Sequence, residues 1–155
     1  MKIQLSKFCL LILVINIYAC KSTTKKLKIV PISFFNFEGK HKSNGDTLFW
    51  KNEFYLVCNY YEDKINDSII ENYAKKISDT SSKVYSEVVL TFYKESKQTN
   101  MKNLLKNKKI LEKYSDEYDK IFVFNWVNSR NLYKYKYQNG QIINSKNNIN
   151  IKDIE

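Results

Sequence analysis

DKIFVFNWVNSRNLYKYKYQNGQII, running from Asp119 to Ile143, is the most strand-like stretch of the chain. Ile121 to Val127 is rich in β-branched and aromatic residues, the types that suit a pleated, half-buried surface. Beyond it, Tyr133, Tyr135 and Tyr137 alternate with Lys134, Lys136 and Gln138. Strict alternation gives a strand one face against a core and one in water. Asn139-Gly140 is the pair that a type I′ hairpin turn requires, because both central residues take positive φ. The stretch therefore predicts a strand followed by a C-terminal β-hairpin. The expected orientation has the tyrosines inward over the helices and the lysines outward. The other reading of Tyr133, Tyr135 and Tyr137 is an exposed interaction surface, since tyrosine is enriched at interfaces.

Upstream, INDSIIENYAKKISD has helical spacing, with Ile69, Ile70, Tyr73, Ala74 and Ile77 on one face. Ser68 and Glu71 have the spacing of a capping box. SKVYSEVVLTFYKES returns to strand, with Val84, Val88, Leu90 and Phe92 on one side. Thr99 or Asn100 caps a second helix carrying Met101, Leu104, Leu105, Leu111 and Tyr114 as a looser stripe. EFYLVCNYY reads as a strand, and ISFFNFEGKHKSNGDTLFW as two short strands around a polar turn at Asn44-Gly45. The order predicts an α+β domain, a two-layer sandwich in which a mixed, mostly antiparallel sheet carries two helices on one face and a C-terminal β-hairpin.

The chain opens differently. Lys2 and Lys7 precede twelve residues, Phe8 to Ala19, broken by a single polar residue, Asn16. As a helix that run rises about 18 Å, too short for a hydrocarbon core of roughly 30 Å but suited to the apolar region of an export signal. It ends in Ile17-Tyr18-Ala19-Cys20, which resembles the lipobox of bacterial lipoproteins: a branched apolar residue, a variable one, a small one, then cysteine. Ile17 and Ala19 are the residues the resemblance assigns to signal-peptide recognition. It implies that Cys20 becomes the diacylglyceryl-bearing first residue of the mature chain, with fatty acid on its amine as well. Each buried methylene contributes about 0.8 kcal/mol to membrane affinity, and more than one chain is needed for a stable anchor. Lys21 is not the aspartate that holds some lipoproteins in the inner membrane, and no acid follows Cys20 directly. The resemblance thus points to the outer membrane, facing the periplasm. The expected organisation is a signal peptide over 1–19, a lipidated cysteine and basic tether over 20–30, one domain over 31–145 and a polar tail over 146–155.

The net charge of +10 invites a nucleic-acid reading that its distribution weakens. Residues 1–19 hold two lysines and no acid, so +8 remains after them, and Lys21, Lys25, Lys26 and Lys28 supply half of that. Beside a lipid anchor these lysines suit anionic headgroups. Arg130 is the only arginine, whereas nucleic-acid surfaces favour the arginine fork for phosphate and guanine. No nucleic-acid partner is expected. Of three cysteines, Cys9 leaves with the signal and Cys20 takes lipid, which leaves Cys58 as a small core residue without a disulfide partner.

Catalytic patterns are sparse. One histidine, His41, excludes a two-histidine zinc site within the chain, and neither a dinucleotide fingerprint, a P-loop nor a G-x-S-x-G elbow occurs. Gly39, Gly45 and Gly140 are isolated glycines in turn-like sequence. His41, Ser43 and Asp46 share one polar loop, and Asp116, Glu117 and Asp119 another; both read as solvated turns rather than as a triad or a calcium loop. No metal and no cofactor is expected. The chain reads as a membrane-anchored envelope lipoprotein, a non-catalytic binding or accessory module with an envelope protein partner. The alternative is a small periplasmic hydrolase or ligand-binding protein that uses carboxylates in a cleft.

Overall fold

A computed structural model describes residues 25–128 and 130–147. The stretch Phe8–Cys20, with Ile17, Ala19 and Cys20, lies outside the described residues, as does most of the polar tail. Seven strands form one sheet: β1 (Lys28–Pro31), β2 (Phe37–Ser43), β3 (Asp46–Cys58), β4 (Glu87–Lys94), β5 (Lys120–Val127), β6 (Arg130–Gln138) and β7 (Gln141–Asn147). The order across the sheet is β1-β3-β4-β5-β6-β7, with β2 also on β3. The length of β3 explains this branching. Its first half pairs with β2 and its second half with β1, both antiparallel, while its other edge takes β4 in parallel. A parallel pair needs a crossover, and α1 (Lys64–Ser81) supplies it. The remaining neighbours, β4 to β7, are antiparallel.

Side chains on neighbouring strands share a face according to register, which sorts the core into two parts. On one face Tyr55 and Val57 of β3 line up with Val88, Leu90 and Phe92 of β4 and with Phe122, Phe124 and Trp126 of β5. Ile70 and Ala74 of α1 are fully buried against them. Tyr55 stacks on Phe92 at 5.0 Å between ring centroids, and Tyr73 of α1 meets both edge-on. On the opposite face Leu56 and Tyr93 pack with Ile32, Leu104 and Leu111. Leu104 belongs to the short helix α2 (Met101–Lys106), and Leu111 opens a nine-residue π-helical segment, Leu111–Asp119.

The α+β class, the mixed and mostly antiparallel sheet, the two helices and the C-terminal hairpin agree with the expectation. The placement of the helices does not: α1 covers one face and α2 with the π segment the other. The β3–β4 crossover puts α1 on its side, and the β4–β5 connection folds onto the other. The hairpin's orientation is corrected with it. Lys134 and Lys136 lie on the face of α1, where they bond Glu71 and Asp67, and the tyrosines lie on the opposite face.

Several local expectations also shift. Helix α1 starts four residues before Ser68, with Asp63 as N-cap accepting from the Asn66 amide at 2.7 Å. Ser68 instead donates to the Lys64 carbonyl, and Glu71 pairs with Lys134. Ile69 is exposed, and Val84 lies in the loop before β4 with 66% of its surface in water. In the second stripe Asn100 is the cap, while Leu105 is exposed rather than packed. Gly39 sits inside β2 rather than in a turn, because a Cβ there would meet the indole of Trp50 at 2.4 Å. The first strand opens at Lys28, inside the stretch read as tether.

Both asparagine-glycine turns have the expected positive φ at each residue, 50° and 89° at Asn44-Gly45 and 49° and 74° at Asn139-Gly140. Gly140 carries a second constraint. A Cβ built on it would stand 2.3 Å from the carbonyl oxygen of Glu117, so the hairpin turn is seated on the end of the π segment. Gly140→Ala is therefore expected to cost about 2 kcal/mol or more, from positive φ and from the displaced backbone together. Chemical denaturation checks this, with Gly45→Ala as the comparison, because Gly45 has open space around its Cβ position.

Candidate functional site

The tyrosine ladder lies on the face shared with the π segment, and its three described rings are half-buried. Tyr133 and Tyr135 are 4.9 Å apart between centroids, and Tyr135 and Tyr137 are 6.4 Å apart. Tyr137 is nearest the π segment, with the Lys120 ammonium 5.2 Å from its ring centre. Burial, followed by the neighbouring tyrosines and Asp116, pushes its hydroxyl above the usual tyrosine range. Tyr133 is placed by a polar contact: Asn125 on β5, directly opposite, donates to its hydroxyl at 2.8 Å. The same amide group donates to Glu87 at 3.0 Å. The Asn125 carbonyl oxygen is buried with no partner among the described residues, and such an oxygen ordinarily finds a donor. Val89 and Val123 lie half-buried between these groups, and Trp50 borders them from β3. The face therefore presents aromatic and aliphatic surface around a small polar centre.

A groove of about 350 Å³ opens beside this face, between the π segment and the start of the sheet. Phe35, Phe37, Phe54, Tyr93 and Leu111 line it, with Glu112 and Asp116 at its rim. Asp116 accepts from the Tyr93 hydroxyl at 2.6 Å and pairs with Lys120 at 3.2 Å. Burial, then this contact with Asp116, holds the Tyr93 hydroxyl far above its usual range. Nothing in the sequence indicated the groove, because its walls come from β2, β3, β4 and a π-helical turn. The wider turn of that segment puts Leu111, Ser115 and Asp119 in one buried row. Ser115 bonds Thr99 at 2.7 Å, and Asp119 accepts from Ser96 at 2.6 Å, which occupies these polar groups structurally.

The chain matches no known protein family, curated protein or solved structure. Site chemistry therefore rests on the residues themselves. His41 and Ser43 fall on β2 and Asp46 on β3, and no side-chain hydrogen bond joins the three. Of the acidic run, Asp116 and Asp119 are bound within the fold, and Glu117 supplies the carbonyl beneath Gly140. Among the described residues no cluster of side chains has the makeup of a metal site, and no helix is long and apolar enough to cross a membrane. Cys58 is half-buried at the border of the second core cluster. Burial, then the carboxylate of Glu95, raises its thiol and disfavours the nucleophilic thiolate.

Proposed function

We propose that this chain is a membrane-anchored cell-envelope lipoprotein, held by lipid on Cys20 at the outer membrane facing the periplasm, and that it works there as a non-catalytic binding or accessory module. The observation that carries the binding role is the half-open face of Tyr133, Tyr135 and Tyr137 around Asn125. The anchoring role rests on the apolar run Phe8–Ala19 and the residues Ile17-Tyr18-Ala19-Cys20. A small rigid domain offering an aromatic face suits recognition of an envelope protein, because tyrosines provide contact area at low conformational cost.

Replacement of Cys20 by serine is expected to abolish fatty-acid labelling and release the chain from the membrane fraction. Labelling that persists in Cys20→Ser would refute the anchor. For the binding role, the tagged wild-type chain is recovered from crosslinked envelopes beside a Tyr135→Lys variant. One stoichiometric partner lost with the variant supports the face, and recovery of the chain alone argues against it. The groove beside Glu112 and Asp116 favours a second reading, a small ligand-binding protein or hydrolase using carboxylates in a cleft.

A further inference from the structure

The strands assign the domain a near end and a far end. β1 begins at Lys28 opposite Cys58, so the chain leads back towards Cys20 from the end where β3 finishes and α1 starts. The Asn59 side chain fixes that exit by donating to the Lys26 carbonyl at 3.1 Å. Phe49, Val84 and the Asn44-Gly45 turn lie at the other end. Seven residues separate Cys20 from Lys28, and a chain of that length spans at most about 27 Å.

The near end exposes three large apolar side chains. Ile65, in the first turn of α1, is 74% exposed, and Tyr61 just before it is 64% exposed. Tyr118, at the close of the π segment, is also exposed and shares a shallow cavity with Tyr60 and Lys120 at this end. Lys25, Lys26, Lys28 and Lys64 are exposed at the same end. Of the acids at this end, Asp63 caps α1, Glu62 meets Lys136 and Gln138, Glu95 lies against Cys58, and Glu117 stands exposed beside Tyr118.

We infer that this end is a membrane-docking surface, which seats Tyr61, Ile65 and Tyr118 in the headgroup region of an anionic bilayer with the four lysines over its phosphates. The inference rests on the lipid anchor proposed above and adds an orientation to it. Tyrosine with an exposed aliphatic neighbour suits the boundary between headgroups and acyl chains, and lysines beside it suit anionic lipid. A short tether keeps this end at high effective concentration near the bilayer, so a weak surface attraction is enough to hold it. The far end, and with it Phe49 and Val84, is then turned away from the membrane.

The test uses the full chain as isolated from cells, in nanodiscs of phosphatidylethanolamine and phosphatidylglycerol carrying a gadolinium-chelating lipid. The readout is methyl NMR intensity. The Ile65 methyl is expected to lose most of its signal while the Val84 methyls keep theirs, and Tyr61→Ser with Ile65→Val should erase the difference. High salt, or phosphatidylcholine in place of the anionic lipid, should reduce it. Equal broadening at both ends, or a gradient that the Tyr61→Ser, Ile65→Val variant leaves unchanged, as expected from the point of tethering alone, would overturn the proposal. A gradient indifferent to salt and lipid charge would overturn the part given to the lysines. The mass of the same sample reports acylation at Cys20, so failure of the anchor is distinguished from failure of the docking.

Discussion

Phe92→Ala is expected to lower the unfolding free energy by about 3–5 kcal/mol, the largest effect of any single truncation in this domain. Phe92 has no exposed surface and stands at the centre of the first core cluster. It stacks on Tyr55, receives the edge of Tyr73 from α1, and meets Phe124 edge-on at 5.8 Å. Truncation thus removes buried apolar surface and three ring contacts, and leaves a cavity walled by a sheet and a helix that cannot both close on it. A domain of this size has about 5–15 kcal/mol in all, so the variant sits near the threshold of folding. The comparison is Val89→Ala, three residues earlier on β4 and on the opposite, half-buried face. Urea denaturation measures both. A loss below about 1 kcal/mol for Phe92→Ala, with unchanged m-value, would contradict the packing described.

The second large effect is a collapse of stability in alkali. Tyr55 donates its hydroxyl to Glu53 and Tyr93 donates to Asp116, each at 2.6 Å, and both residues are buried. Ionisation of either would desolvate a phenolate and set it against a carboxylate, so burial first and the acid second raise both far above 10. In the unfolded chain the same tyrosines titrate near 10. The folded state therefore holds protons that the unfolded state releases. Stability is fully present below about pH 10 and falls above it by roughly 1.4 kcal/mol per pH unit for each such tyrosine. Lys136 acts in the same direction. Burial opposes its charge, but Asp67 and Glu62 outweigh burial and raise it, so its contribution fades as pH rises past the ordinary lysine range. Unfolding free energies measured between about pH 8 and pH 12 should bend downward near pH 10, with the phenolates of Tyr55 and Tyr93 appearing together with unfolding. Tyr93→Phe should make the descent shallower. Phenolate that forms at Tyr55 or Tyr93 in the folded protein at an ordinary tyrosine pKa would contradict the placement of these rings.

β2, β4 to β7 and both asparagine-glycine turns were legible because their signals are local, whereas β1 fell in the stretch read as tether and β3 joins two stretches read as separate strands. The alternation in LYKYKYQ states that the two sets face opposite ways, and no more than that. Which set is covered depended on partners remote in sequence: Lys134 and Lys136 lie towards α1 because Asp67 and Glu71 meet them there. The helix start was misread for a related reason. Ser68 and Glu71 have capping spacing, but Asp63 stands a turn earlier, and Glu71 is drawn to a strand sixty-three residues away. Gly39 looked like a turn residue because the need for it comes from Trp50 on the neighbouring strand. The tyrosine ladder was visible as a candidate contact surface. Its Asn125 centre and the aromatic groove were not, since each is assembled from several strands at register positions no single window contains.

The antiparallel register of β1 against β3 has a mechanical consequence. Lys28 lies at the chain's point of entry, opposite Cys58, and the strand runs inward from there to Pro31 opposite Tyr55. If the chain is held at its N-terminus while a partner pulls on the far end, the load runs along β1. Its backbone hydrogen bonds lie across that axis and would be strained together in shear, instead of being peeled open one at a time. A strand of only four residues can in this way serve as a firm point of attachment.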